Sequence, residues 1–203
     1  DNQLSCHALV QGLIQAKDRQ PSLVVLNDHE EVGSVSTSGA QGPFLKDVLE
    51  RLYPHAEQRR RILADSFFIS ADNAHAVHPN FAAKHDGDHQ PRLNQGPVIK
   101  TNANQRYATN GLTAALFRRL CHMAEVPCQS FVMRNDMACG STIGPLTAAE
   151  IGVATVDIGV PQLAMHSIRE TVGHLDGWYL LRVMEQFFAA PDGVIALPQR
   201  PDA

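Results

Sequence analysis

Two adjacent glutamates, Glu30 and Glu31, stand beside Asp28 and His29 at the end of the apolar run SLVVLN, residues 22–27. A carboxylate next to a metal ion can either coordinate it or accept a proton from the water it binds, and loop neighbours can point to two sides of one site. One of the pair could therefore ligate while the other acts as general base. Taken alone, the pair reads just as well as two solvated loop acids, the ordinary state of glutamate. A second cluster, SADNAHAVHPN (70–80), puts Asp72 at a strand end with His75 and His78 behind it and Pro79 to turn the chain. Asp and His suit zinc-like cations, and they equally suit a turn capped by Asp72. His166, in PQLAMHSIRE (161–170), lies in an apolar setting, where a lone histidine is commonly a satisfied core residue.

Other groups carry weaker chemistry. Cys139 in MACGST (137–142) invites a thiol-hydrolase reading. The same segment is a glycine-containing turn into a helix, and reactivity needs a lowered thiol pKa that sequence does not display. GSTIG (140–144) is not a nucleophile elbow, because no glycine precedes Ser141 by two residues. His85 and His89, four apart in KHDGDH, imitate a helical metal pair, but Gly87 and the polar neighbours favour a solvated loop.

The elements that must position these residues alternate. Strand-like runs, rich in β-branched and aromatic residues, occur at 22–27, 66–71, 96–102, 130–135 and 153–159. Helix-like segments occur at 1–16, 42–53, 110–126, 145–152 and 169–188, with Thr109 or Asn110 as N-cap of the third. Such alternation predicts an α/β sandwich with a mostly parallel sheet, whose ligands gather beyond the carboxyl ends of strands. The polar clusters sit there: DHEE follows the first run, DNAHAVH the second, and RND closes the fourth.

Composition narrows the function. A chain of 203 residues with 44% hydrophobic content can build one sizeable core. A formal net charge of −4, with both signs evenly mixed, provides no basic stripe for nucleic acid. No apolar run is long enough to span a bilayer and no signal segment opens the chain, which argues against a membrane partner. Cys6, Cys121, Cys128 and Cys139 show no C-x-x-C spacing, so free thiols in a reducing compartment are expected, the cytoplasm by default. The chain starts at Asp1 inside a helical pattern, as a piece of something longer does.

The clusters also occur together and in order: DN..SC at the start, then DHEEVGS, ISADNAHAVHPN, GPVIKTNANQRYATN, VMRNDMACGSTIGP and GVPQLAMHSIRE. Together they resemble the M18 family of metallo-aminopeptidases, the aspartyl aminopeptidases and their bacterial relatives, over nearly the whole chain. The resemblance implies a three-layer α/β/α sandwich with a mostly parallel mixed sheet, of the zinc-peptidase, phosphorylase/hydrolase-like type. Residues 1–190 would be the C-terminal portion of the catalytic domain and 191–203 a loose tail. The family's N-terminal part, which supplies a histidine metal ligand, and its inserted dimerisation domain are not in this chain.

By the same resemblance the site holds two divalent ions, zinc in the family. Asp1 bridges them, Glu31 and His166 complete one side, Asp72 holds the other, and Glu30 is the general base. Lys100 is the leading candidate to meet an acidic first residue, with Tyr107 and His75 lining the pocket and Arg134 and Arg106 as alternatives. Asn73 stands where methionine is common in the family. The activity implied is removal of an N-terminal residue, an acidic one, from peptides with a free N-terminus, by a homo-oligomer built on dimers. The absent histidine predicts weak or no turnover by this segment alone. The competing expectation is a non-catalytic scaffold or binding module that has kept the fold.

Overall fold

The computed structural model describes residues 1–17, 21–191 and 195. Its strands are β1 (Phe67–Ala71), β2 (Ala74–His75), β3 (Val98–Thr101), β4 (Gln129–Val132), β5 (Ala154–Gly159), β6 (Pro161–Leu163) and β7 (Thr171–Val172). Its helices are α1 (Gln3–Gln15), α2 (Phe44–Leu52), α3 (Ala56–Ala64), α4 (Gly111–Met123), α5 (Ile143–Ile151) and α6 (Asp176–Phe188).

The main sheet runs β1-β5-β3-β4. β1 lies parallel to β5 and β3 parallel to β4, while β3 and β5 are antiparallel, so the sheet is mixed and mostly parallel as the alternation predicts. Successive side chains of a strand face opposite ways. Val156 and Ile158 of β5, with Ile69 of β1, bury against Ala8 of α1, Phe117 and Leu120 of α4, and Leu180 and Met184 of α6. Asp157, between them, turns to the other face and touches Gly144 of α5. Helices thus cover both faces, giving the three layers. α1 lies so close to α6 that a Cβ on Gly12 would stand 2.7 Å from the Met184 Cβ. A second, small sheet, β2-β6-β7, extends the carboxyl end.

Local chemistry explains the boundaries. Asn110 caps α4 by accepting from the N–H groups of Leu112 and Thr113, while the Thr113 hydroxyl accepts from the Asn110 N–H. Thr142 caps α5, which therefore starts before residue 145. Two expectations change. Residues 22–27 join no strand ladder, and Leu23 and Leu26 are about half exposed, at 50% and 48%. Apolar content marks a surface to be covered, but a strand also needs a partner edge, and none is provided among the described residues. Residues 22–25 instead line a cavity of about 500 Å³ together with Leu45, Leu49, Ile62 and Phe67. The last helix begins at Asp176 rather than near Arg169, because Thr171 and Val172 pair with Leu163 and Gln162. The Arg-rich helix α3 has little apolar periodicity and is not foreseen. The expected tail, 191–203, lies outside the described residues except for Pro191 and Ile195.

Candidate metal centre

Glu30 and Glu31 begin a single 3₁₀ turn, Glu30–Val32, bounded by His29 at φ 58° and Gly33 at φ 104°. A left-handed residue at each end reverses the chain twice within a few positions, and glycine tolerates this at no steric cost. The His29 carbonyl accepts from Val32 and Ser34, and the His29 Nδ1 meets the Ser36 hydroxyl at 2.9 Å. The turn separates the two glutamates. Glu31 Oε2 lies 3.0 Å from His166 Nε2. Glu30 is raised above the usual carboxylate range, first by burial and then by the charges of Asp72 and Glu31, with Lys100 and His166 opposing. A raised carboxylate holds a transferred proton better.

His166 sits after β6 in a left-handed conformation, φ 65°, and its N–H donates to Glu170 Oε1 at 2.7 Å. Its Nε2 is 3.3 Å from Asp1 Oδ2. The Asp1 ammonium is paired with the Glu170 carboxylate, and that contact, then the His166 N–H, holds Glu170 below its ordinary range. Asp1, Glu31 and His166 offer ligand atoms all within 4.8 Å of one another. Asp1 Oδ1 is buried with no hydrogen-bond partner. Two carboxylates converging on one imidazole, one with a buried oxygen that takes no hydrogen bond, fit a divalent cation, and O and N donors suit zinc.

Asp72, at the end of β1, lies outside that group of three. Its carboxylate and backbone carbonyl are held by Lys100 Nζ, which projects from β3. Lys100 is 2% exposed, so its ammonium is held among protein groups rather than in water. Its Nζ lies 5.2 Å from the centre of the Tyr107 ring, within cation–π range. Burial, then a hydrogen bond with the Cys139 thiol, pushes the Tyr107 hydroxyl well above its usual range, so it stays a neutral phenol. His75 is held below the usual histidine value by loss of water around the ring, then by His85 and Lys100.

The other candidates have local duties. His78 Nδ1 caps the following turn by accepting from Asn80 N–H, and the ring lies against Phe81. Arg134 pairs with Asp136 and donates to the Ala83 carbonyl, while Arg106 is exposed. Cys139 packs with Tyr107 and Phe131. His85 is not a solvated loop residue: its Nε2 is 3.3 Å from the His75 carbonyl, its ring meets Phe131, and its Nδ1 is buried without a partner. His89 bonds Asp86 instead.

Asp157 went unsingled from sequence. It is fully buried and accepts from Ser70 Oγ at 2.7 Å, Thr142 Oγ1 at 2.6 Å and the Ala108 N–H at 2.6 Å. Thr109 Oγ1 accepts from its N–H. One carboxylate thereby ties β1, β5, the loop carrying Tyr107 and the loop carrying Cys139. An aspartate inside the apolar strand VATVDIG was the available signal.

Comparison with known proteins gives the family and the fold. Residues 1–188 match the family model described as aminopeptidase I zinc metalloprotease (M18). A relative from Azotobacter vinelandii named "Probable M18 family aminopeptidase 2" is 58% identical over 191 residues, 94% of this chain and 44% of that protein. The chain resembles a chain of the Ape4 and Nbr1 complex, with TM-score 0.88 and 42% identity over 93% of this chain and 38% of that one. It also resembles the mApe1 dodecamer of S. cerevisiae, with TM-score 0.82 and 31% identity over 96% of this chain and 45% of that one. The chain therefore spans less than half the length of these relatives.

Proposed function

The chain belongs to the M18 family of zinc metalloproteases, and from that premise we propose that it is the C-terminal portion of the catalytic domain of a di-metal aminopeptidase acting on peptides with an acidic N-terminal residue. The observation that carries the reading is the convergence of Asp1, Glu31 and His166, with the buried Asp1 Oδ1 left unpartnered. These three would hold one divalent ion, zinc by the family description, and Asp72 with Asp1 would hold the second. Bound there, such ions polarise a scissile carbonyl and make water more acidic.

The protein's own groups do the rest. Glu30, raised by burial and by Asp72 and Glu31, accepts the proton of the attacking water and returns it to the departing amine. Lys100 fixes the Asp72 carboxylate and lies over the Tyr107 ring, and its positive charge, with Tyr107 and His75 beside it, is what would favour an acidic first side chain. The left-handed turns at His29 and His166 hold Glu30 and the donor set in direction. The working protein is a homo-oligomer, as a dodecameric relative suggests by analogy, and it resides in the cytoplasm. Among the described residues no helix is long and apolar enough to cross a membrane.

The test is a protein extended to the length of the relatives, assayed on peptides that differ only in the first residue. The reading expects chelator-sensitive release of Asp or Glu in preference to neutral residues. Turnover indifferent to chelators and blocked by thiol alkylation would move the chemistry to Cys139. Zinc binding without any release would leave a scaffold that has kept the fold.

A further inference from the structure

Residues 164–170 form the loop between β6 and β7, and the pairing of Leu163 with Thr171 closes it. Within the loop Ala164 and His166 are left-handed, at φ 55° and 65°, a conformation that residues other than glycine keep only where neighbours hold it. Three bonds hold it here. The Ser167 N–H donates to the Ala164 carbonyl at 3.0 Å, the Arg169 N–H to the Ser167 hydroxyl at 3.0 Å, and the His166 N–H to Glu170 Oε1 at 2.7 Å. The second oxygen of that carboxylate, Oε2, accepts from the Asp1 nitrogen, 169 positions away. In a chain that continues before Asp1 this nitrogen is an amide with one N–H, still a donor. Asp1 is tied on its other side as well, because the Asn2 side chain donates to the Ala71 carbonyl at 2.6 Å, next to Asp72.

We propose that Glu170 is a positioning residue of the metal centre: its carboxylate holds the main-chain nitrogens of two ligands, Asp1 and His166, and so sets how tightly and in what geometry a divalent ion is bound, without itself reaching the ion. The inference rests on the site proposed above. Asp1 precedes α1 and His166 lies beyond β6, so their side chains meet only while these two elements keep their places. Glu170 joins them at the backbone, and Asp1 Oδ2 comes to 3.3 Å from His166 Nε2.

The chemistry fits a support rather than a further ligand. Both Glu170 oxygens accept from nitrogen, and Glu170 is outside the group of three whose ligand atoms converge. A carboxylate accepts at both oxygens, and its charge strengthens both bonds. Glutamine at this place has the same shape but one acceptor oxygen, and its amide N–H₂ would face a second N–H.

The experiment takes the protein of relatives' length, stripped of metal, and titrates it with zinc by calorimetry and with cobalt(II) by visible absorption, whose bands report the arrangement of the donors. Glu170→Gln and Glu170→Ala should each bind zinc at least about tenfold more weakly than wild type, with displaced cobalt bands. Glu31→Gln tests the site itself: zinc binding that it does not weaken would remove the ion from this place, and the inference with it. Binding weakened by Glu31→Gln but equal to wild type in both Glu170 variants, with unchanged cobalt bands, would overturn this inference alone. A lower melting temperature of the metal-free Glu170 variants with wild-type zinc affinity would do the same, leaving Glu170 a loop support. Where Glu170→Ala fails to fold, Glu170→Gln decides, and its own failure to fold would overturn the proposal, which gives Glu170 no part in the fold.

Discussion

Lys100 Nζ lies 3.3 Å from Asp72 Oδ2 and donates as well to the backbone carbonyls of Asp72, at 3.1 Å, and Asn73, at 3.2 Å. The lysine is almost fully buried, so this contact fixes a carboxylate at the rim of the site from inside the sheet. Lys100→Met would leave that carboxylate and two carbonyls without their cation. Removing one member of a buried ion pair typically costs about 3 kcal/mol or more. Denaturant unfolding should show a loss of that size, and a midpoint equal to wild type would contradict the pairing.

The donor set of Asp1, Glu31 and His166 predicts zinc affinity in this chain. Glu31 Oε2 and His166 Nε2 are 3.0 Å apart, close enough to share one ion. In calorimetric titration with zinc, Glu31→Gln and His166→Ala should each weaken binding at least about tenfold. His78→Ala, which removes only a turn cap, should leave it unchanged. Equal affinity in all four proteins would remove the ion from this place.

Asp157 holds its loops by three donors, and Asp157→Ala would leave them buried without an acceptor. The expected destabilisation is at least about 3 kcal/mol. Gly144→Ala addresses the same contact from the other side, since a Cβ there would stand 2.2 Å from Asp157 Oδ2 and force α5 outward. Both variants should melt well below wild type by calorimetry. A neutral Gly144→Ala would mean that the helix shifts freely.

The lowered His75 imidazole sets a sign for pH dependence. In the folded chain His75 takes a proton less readily than in the unfolded chain, whose ordinary value is 6.5. The stabilisation is therefore complete above that value and is lost as pH falls through it towards the lower, folded value. Melting temperature measured from neutral to weakly acid pH should fall more steeply for wild type than for His75→Gln. Parallel curves would show that His75 does not contribute.

The sheet was legible because a short continuous apolar run, as at 67–71 or 154–159, marks a strand buried on both faces. The same signal misled at 22–27, where composition is right and a partner edge is lacking. The helical pattern of residues 169–175 points to an earlier start of α6 than the structure has, because the ladder of Thr171 and Val172 with β6 is a tertiary fact. The centre shows the same division. Each of Asp1, Glu31 and His166 has an ordinary local explanation, and in the sequence only the order of whole blocks links them, whereas the fold brings their side chains together. Asp157 and Ser70 are 87 positions apart, and His85 reaches His75 across a loop, so neither contact has a local signature.

Glu30 feels the charges of Asp72, Glu31 and His166 and is raised by burial, then by Asp72 and Glu31. The decisive measurement is turnover and zinc content of Glu30→Gln in the protein of relatives' length, on a peptide with N-terminal Asp. We predict that turnover falls by at least about a hundredfold with zinc content unchanged. Turnover retained at the wild-type level, with the same zinc content, would contradict the assignment of Glu30 as the base.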